Sequence, residues 1–312
     1  MNGDANDGNP VFLVGAPRSG TTLLYKILCL HPDAAWISNW LARFPHLVGL
    51  SQLNRIAARF PEQRRAAWFR PDSNAYVFGS KRPLAARMFP MPVEGGPLFA
   101  RFGLPKEPAE SEAAERCERP APEEFHADAL QRAFDAICRY SGASVMISKR
   151  IINNRQIAQL GHAFPNARFV ELVRDGRAVA YSLSRVDWWE DSVVWWYGST
   201  PRRWREEGGD PWEIAARHWP EEVDVIHQGL AAVPARNVTR VRYESLVSAP
   251  GETLEALAAF VGLRPVDAWR AEVAGLTFRD RNDEWQAKLD AAVVQQIESV
   301  QRDHLREYGY VA

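Results

Sequence analysis

The segment that most restricts the fold runs from Val11 to Leu30. VFLVG at Val11–Gly15 is continuously apolar, as expected of a parallel strand buried on both faces. It passes through the short loop APRSG into TTLLYKILCL. There Leu23, Leu24, Ile27, Leu28 and Leu30 recur at helical spacing until His31-Pro32 stops the helix. Strand, tight loop and helix in that order form a phosphate-binding loop. Its backbone N–H groups and the helix N-terminus cradle an anion, and Thr hydroxyls add donors. The spacing of Gly15 and Gly20 equals that of the nucleoside-triphosphate loop, but Thr21 stands where that motif needs Lys. The cation has moved into the loop as Arg18. That suits one terminal phosphate bearing a leaving group better than a Mg²⁺-bound triphosphate.

Further strands are predicted at Ser144–Ser148 (SVMIS), Phe169–Val173 (FVELV) and Val238–Tyr243 (VTRVRY). Helix-like GRAVAYSLSR follows the second, and GETLEALAAFVGL, closed by Gly262, comes after the third. Strands alternating with helices predict an α/β fold over 1–312 as a single domain, with a central, mainly parallel sheet flanked by helices on both faces. Two segments break the rhythm. Residues 43–125, crowded with proline and basic residues, read as a helical or irregular insertion with a mobile stretch near Pro105–Pro122. Residues 186–220 hold seven of the twelve tryptophans: Trp188, Trp189, Trp195, Trp196, Trp204, Trp212 and Trp219. These either fill the core of an excursion without sheet support or form a stacking wall for a ligand, and both can hold at once.

Arg174 sits just beyond the carboxyl end of FVELV, where open α/β sheets bind ligands. Ser182 follows about two helical turns later. An Arg fork with a Ser hydroxyl can clamp a second phosphate. Alone, this pair is a weak signal. Together with the first loop it gives two anion sites on one sheet, which a nucleotide with a 5′-phosphosulfate and a 3′-phosphate requires.

Four stretches carry a family resemblance: APRSGTTLLYKILCLHPD (16–33), SKRIINNRQIAQLGHAFPNARFVELVRDGRAVAYSLSR (148–185), RVRYESLVSAPGETLEALAAFVGL (240–263) and REYGY (306–310). They resemble the sulfotransferases that use 3′-phosphoadenosine 5′-phosphosulfate (PAPS), above all the tyrosylprotein-sulfotransferase-related branch. The resemblance implies a P-loop-like sulfotransferase fold, with PAPS as donor and adenosine 3′,5′-bisphosphate as product. It implies that Arg18, Ser19, Gly20, Thr21 and Thr22 bind the 5′-phosphosulfate and that Arg174 and Ser182 bind the 3′-phosphate. Tyr243 is an implied nucleotide contact, and Lys149 takes the place of the strand-end lysine that neutralises the leaving phosphate. A covering loop is implied near Arg279–Trp285, with Arg279 as a nucleotide contact. The family needs no metal, and the chain has no HxxxH, HExxH, CxxC or acidic cluster that suggests one.

One position departs from the pattern. Eight residues after the His of His31-Pro-Asp33, the branch places a glutamate base, whereas this chain has Asn39, which cannot accept a proton at neutral pH. His46 is the first choice to replace it, because an ordinary histidine pKa suits general-base work. Glu94, Asp187 and Glu190 are the alternatives.

Two other function classes compete. A P-loop kinase or NTPase would need Lys after Gly20, which is absent. A non-catalytic glycan- or protein-binding module gives no reason for two phosphate sites. A net charge of −1 gives no global attraction to nucleic acid or anionic membranes. Cys29, Cys117 and Cys138 have neither disulfide-framework nor zinc spacing. The polar, acidic start has no signal-peptide pattern and no apolar run reaches a membrane span, so a cytoplasmic protein is expected. For the sulfate acceptor, carbohydrate, lipid, peptide tyrosine and small phenol all fit.

Overall fold

The computed structural model of the protein describes residues 9–69, 88–104 and 125–311. Its centre is a five-stranded sheet of β1 (Val11–Val14), β2 (Ala34–Ala35), β3 (Val145–Lys149), β4 (Arg168–Val173) and β5 (Val238–Arg242). The order is β2-β3-β1-β4-β5, and every pairing is parallel. Val11 is in register with Ile147 on one side and Arg168 on the other, so the first strand in sequence is the middle strand in space.

The continuous apolar run of β1 is explained by helices on both faces. Val11 and Leu13 face one layer, with Leu24, Ile27 and Leu28 of the helix Thr21–Leu28 and Leu254, Leu257 and Val261 of the helix Pro250–Val261. Phe12 faces the other, with Leu130, Phe134 and Ile137 of the helix Ala127–Ser141. Its ring centroid lies 5.4 Å from Phe169 and 5.8 Å from Phe164. Burying each large apolar side chain of these layers contributes about 1.5–3 kcal/mol, so period-two alternation divides the stabilisation between the two faces. A third cluster lies past the carboxyl ends of the strands. There Val179 and Leu183 meet Ile214 and Trp219 of the helix Pro211–Leu230 and Leu305 of the helix Ala291–Glu307.

β4 also buries a charge. Glu171 is 2% exposed and accepts from Tyr308 Oη (2.8 Å) and Arg240 Nε (2.8 Å), with His227 Nε2 at 3.5 Å. Buried carboxylates persist when they are paired this fully. The cluster ties β4 and β5 to two helices, and draws the REYGY segment onto the sheet.

The α/β architecture and its parallel sheet agree with the sequence reading. The boundaries shift by a residue: β1 stops at Val14, β3 includes Lys149 as its last residue, and Tyr243 opens the helix Tyr243–Ser248 instead of closing β5. β2, only two residues long, has no strand pattern to detect. In the 43–125 insertion the described parts are short helices, together with an extended run whose Pro92 bridges Ser38 in antiparallel fashion. The Pro105–Pro122 stretch lies outside the described residues. No described helix is long and apolar enough to cross a membrane.

Candidate functional site

A cavity of about 980 Å³ opens at the carboxyl ends of β1, β3 and β4. Its floor is the loop between β1 and the following helix. Gly15 must be glycine because a Cβ there would lie 2.5 Å from Leu172 O, and a Cβ on Gly20 would lie 2.7 Å from the Tyr243 ring. Arg18 takes a left-handed backbone (φ 71°), alone among the described non-glycine residues. Such a conformation disfavours a side chain bearing a Cβ, and it concentrates at ligand sites. Asn154 fixes the loop from below, accepting from Gly15 N (3.2 Å) and donating to Gly15 O (3.0 Å). Ser19 Oγ is buried with no protein partner, an orphan that a bound anion would satisfy.

The second candidate anion site abuts the first. Arg174, 7% exposed, donates from Nη1 to Arg18 O (3.0 Å), from Nη2 to Arg281 O (2.8 Å) and from Nε to Asn282 Oδ1 (3.2 Å). Its guanidinium lies 4.3 Å from the centroid of the Tyr243 ring. Arg18 Nε donates to Ser182 Oγ (3.0 Å), so the hydroxyl expected beside Arg174 is held by the first loop. Arg18 is exposed on the cavity surface. Partial desolvation in the cleft, then the charges of Arg174 and Arg281, hold its pKa below the usual arginine value. Three mutually repelling guanidiniums in one wall are stabilised by an anion between them.

The turn after Arg174 is rigid. Asp175 caps the next helix by accepting from Arg177 N (2.9 Å), and Arg177 pairs with both Asp175 and Glu298. Tyr310 Oη donates to Glu244, whose other oxygen accepts from Asp175 N (3.2 Å).

Lys149, 4% exposed, ends β3 inside the cavity wall and is ion-paired with Glu94. The far wall is aromatic. Trp188, Trp189 and Trp195 line it, while Trp196, Trp204, Trp212 and Trp219 pack in the third cluster, so the tryptophan-rich segment is both wall and core. Behind Trp195, Glu222 is 1% exposed and accepts from Trp195 Nε1 (2.9 Å), Arg155 Nη1 (3.1 Å) and Asn154 Nδ2 (2.6 Å). His218 also lines the cavity, and burial lowers its pKa to about 4.

Of the residues singled out in the sequence, Arg18, Gly20, Thr21, Thr22, Lys149, Arg174, Ser182, Tyr243 and Arg279 all line this cavity, and Ser19 lies beneath it. His46 does not. It is exposed in the connection after Asn39–Arg43, where the chain turns away through Val48–Gln52. Asp187 and Glu190 are not lining residues either, and Glu190 pairs with Arg205. Only Glu94 of the four candidate bases faces the cavity. Asn154, Arg155, His218 and Glu222 are lining or supporting residues that the sequence reading missed. His218 and Glu222 are one helical turn apart, but nothing distinguishes that pair from Arg217 and Glu221, whose ion pair is on the outside.

A model of the sulfotransferase family matches residues 10–268. The chain belongs to the sulfotransferase family. A protein-tyrosine sulfotransferase of Drosophila melanogaster is 22% identical over 260 residues, covering 83% of this chain but only 39% of its relative. Among solved structures, a sulfotransferase of Mycobacterium avium superposes with a TM-score of 0.54 at 16% identity, covering 97% of this chain and 78% of that one. One from Mycobacterium tuberculosis gives 0.51 at 17%, covering 93% and 76%. At these identities the likeness is one of fold. The chain thus shares with these structures the fold whose sheet brings the loop after β1 and Arg174 together.

Proposed function

We propose that the chain transfers a sulfuryl group from PAPS to an acceptor hydroxyl or amine by in-line displacement at sulfur. One observation carries the reading: Arg18, Arg174 and Arg281 converge with Ser182 on a single wall, beside a phosphate loop that has Thr21 in place of lysine. A donor with two separated anionic groups complements that wall, whereas a Mg²⁺-bound triphosphate complements a loop lysine. In this reading Arg18, Ser19, Gly20, Thr21 and Thr22 hold the 5′-phosphosulfate. Arg174 and Ser182 hold the 3′-phosphate, and Tyr243 and Arg279 flank the nucleoside. Lys149 neutralises charge developing on the leaving phosphate oxygen. In a loose sulfuryl transfer, such positioning and charge stabilisation supply most of the catalysis.

The acceptor enters along Trp188, Trp189 and Trp195, with residues 43–125 and 186–220 as acceptor-side elements. The widely spaced cysteines support a reducing compartment such as the cytoplasm. Calorimetric titration tests the reading. Adenosine 3′,5′-bisphosphate should bind without Mg²⁺ and at least tenfold tighter than ATP, a gap of about 1.4 kcal/mol. Equal affinities, or a strict Mg²⁺ requirement, would overturn it.

A further inference from the structure

Asn39 leaves the expected base position without a proton acceptor, yet its side chain is fully engaged. Its Oδ1 accepts from Met91 N (3.0 Å) and its Nδ2 donates to Phe89 O (3.3 Å), while its backbone N donates to Met91 O (3.0 Å). Flanking bonds extend the grip: Val93 N to Ile37 O (3.0 Å), Trp40 Nε1 to Met88 O (2.8 Å) and Trp68 Nε1 to Pro90 O (2.9 Å). Residues 88–93 are thereby laid along 37–40, and the next residue is Glu94. Its carboxylate meets Lys149 Nζ through Oε1 and Ile151 N (3.3 Å) through Oε2. The side chain remains 42% exposed, on the cavity surface, so a ligand can reach it.

The other lining groups are poorly placed to take a proton. Glu222 is 1% exposed with both oxygens on internal donors, whereas Glu94, though also paired at both oxygens, keeps an exposed face. Asp191 pairs through Oδ1 alone with Arg202 and has no described contact with Lys149, and Glu284 lies beside Arg279 and Arg281 on the nucleotide side. His218 Nδ1 accepts from Trp196 Nε1 (3.2 Å), so the neutral ring carries its proton on Nε2 and has no free acceptor nitrogen.

We propose that Glu94 is the general base of the transfer, and that Asn39 is a positioning residue that holds the Glu94 segment against Lys149. The proposal rests on the sulfotransferase reading above. As the acceptor oxygen forms its bond to sulfur, its proton passes to the Glu94 carboxylate. The bond from sulfur to the 5′-phosphate oxygen breaks, and its electron pair stays on that oxygen. Lys149 exchanges Glu94 for the leaving oxygen, so the same displacement that neutralises the phosphate frees the base.

The test uses water as acceptor, so it needs no identified substrate: purified protein is incubated with PAPS, and release of adenosine 3′,5′-bisphosphate is followed. Glu94→Gln is isosteric and half-exposed, and should fold. It should bind adenosine 3′,5′-bisphosphate within about threefold of wild type while releasing it about 10²–10⁴ times more slowly, the usual range for loss of a general base. Asn39→Ala should slow release by a smaller factor, and adding it to Glu94→Gln should cause no further fall. A purely structural Asn39 would instead compound the loss. Release by Glu94→Gln within threefold of wild type, or a large loss in His46→Ala with none in Glu94→Gln, would overturn the proposal. Failure of the wild type to bind the bisphosphate would overturn the sulfotransferase reading itself, and the binding arm reports that separately.

Discussion

Adding one methyl group to Gly176 should destabilise the protein, while adding one to Gly251 should not. Gly176 opens the helix after β4. A Cβ there would lie 2.3 Å from Trp219 Cε3 and 2.5 Å from Gln301 Oε1. Neither neighbour can yield easily. Trp219 is 1% exposed, with ring centroids of His304 at 6.1 Å and Tyr308 at 6.0 Å. The Gln301 amide donates to both Gly176 O (3.1 Å) and Ala216 O (2.9 Å). Overpacking of this kind costs about 1–3 kcal/mol, and here the obstacle is a rigid indole, which places the cost at the upper end. Replacing glycine by alanine in a helix recovers at most about 1 kcal/mol. The steric cost wins, leaving Gly176→Ala about 2 kcal/mol less stable than wild type. Gly251 is the second residue of the helix Pro250–Val261, and nothing lies within 4 Å of its hypothetical Cβ. There the helix and unfolded-state gains are unopposed, worth about 0.4–1 kcal/mol. Urea unfolding of both variants, at unchanged m-values, measures the two shifts directly. Shifts of the same sign, or a neutral Gly176→Ala, would refute the packing argument.

Two further tests follow from the site and from the buried cluster. Arg174→Ala should weaken adenosine 3′,5′-bisphosphate at least tenfold more than adenosine 5′-phosphosulfate, measured by titration; equal losses would leave Arg174 as a brace for Arg18 and Arg281 only. The hydrogen bond to Glu171 raises the His227 pKa above its ordinary 6.5, outweighing the lowering by burial. Protonation of His227 therefore favours the folded state: the contribution is complete below about pH 6.5 and is lost as pH rises through the higher folded value. Wild type should accordingly lose stability relative to His227→Gln as pH rises above about 6.5, in urea midpoints taken at each pH, and a gap constant with pH would refute this.

The grouping of the proposed donor-binding residues around one cavity is legible in the sequence because local chemistry places them. Gly15, Arg18, Gly20 and Thr21 lie within seven residues of one another, and Arg174 and Ser182 within nine, so strand, turn and helix signals place them without tertiary knowledge. The choice among His46, Glu94, Asp187 and Glu190 as the proposed base is not legible in the sequence. Asn39 and Glu94 are 55 residues apart, and only the hydrogen bonds from Asn39 to Phe89 and Met91 reveal that the insertion returns to the sheet. An ordinary histidine pKa favours His46, but pKa is no guide to which way a loop turns, and His46 does not line the cavity. Glu222 was missed for a related reason: a carboxylate on an amphipathic helix reads as solvated until Asn154, Arg155 and Trp195 are seen to surround it.

The sheet order also bears on how the chain is made. β1 leaves the ribosome first among the strands, yet its two neighbours are β3 and β4, which end at Lys149 and Val173. At about 5–20 residues per second, VFLV waits roughly 7–27 s with both hydrogen-bonding edges open, and about 8–32 s before both can be paired. Four consecutive apolar side chains on an unpaired strand are a template for pairing with another chain. During that interval, yield depends on nascent-chain protection rather than on the stability of the finished fold. Slowing translation between β1 and β4 should therefore increase aggregation of newly made protein, although the folded product is unchanged.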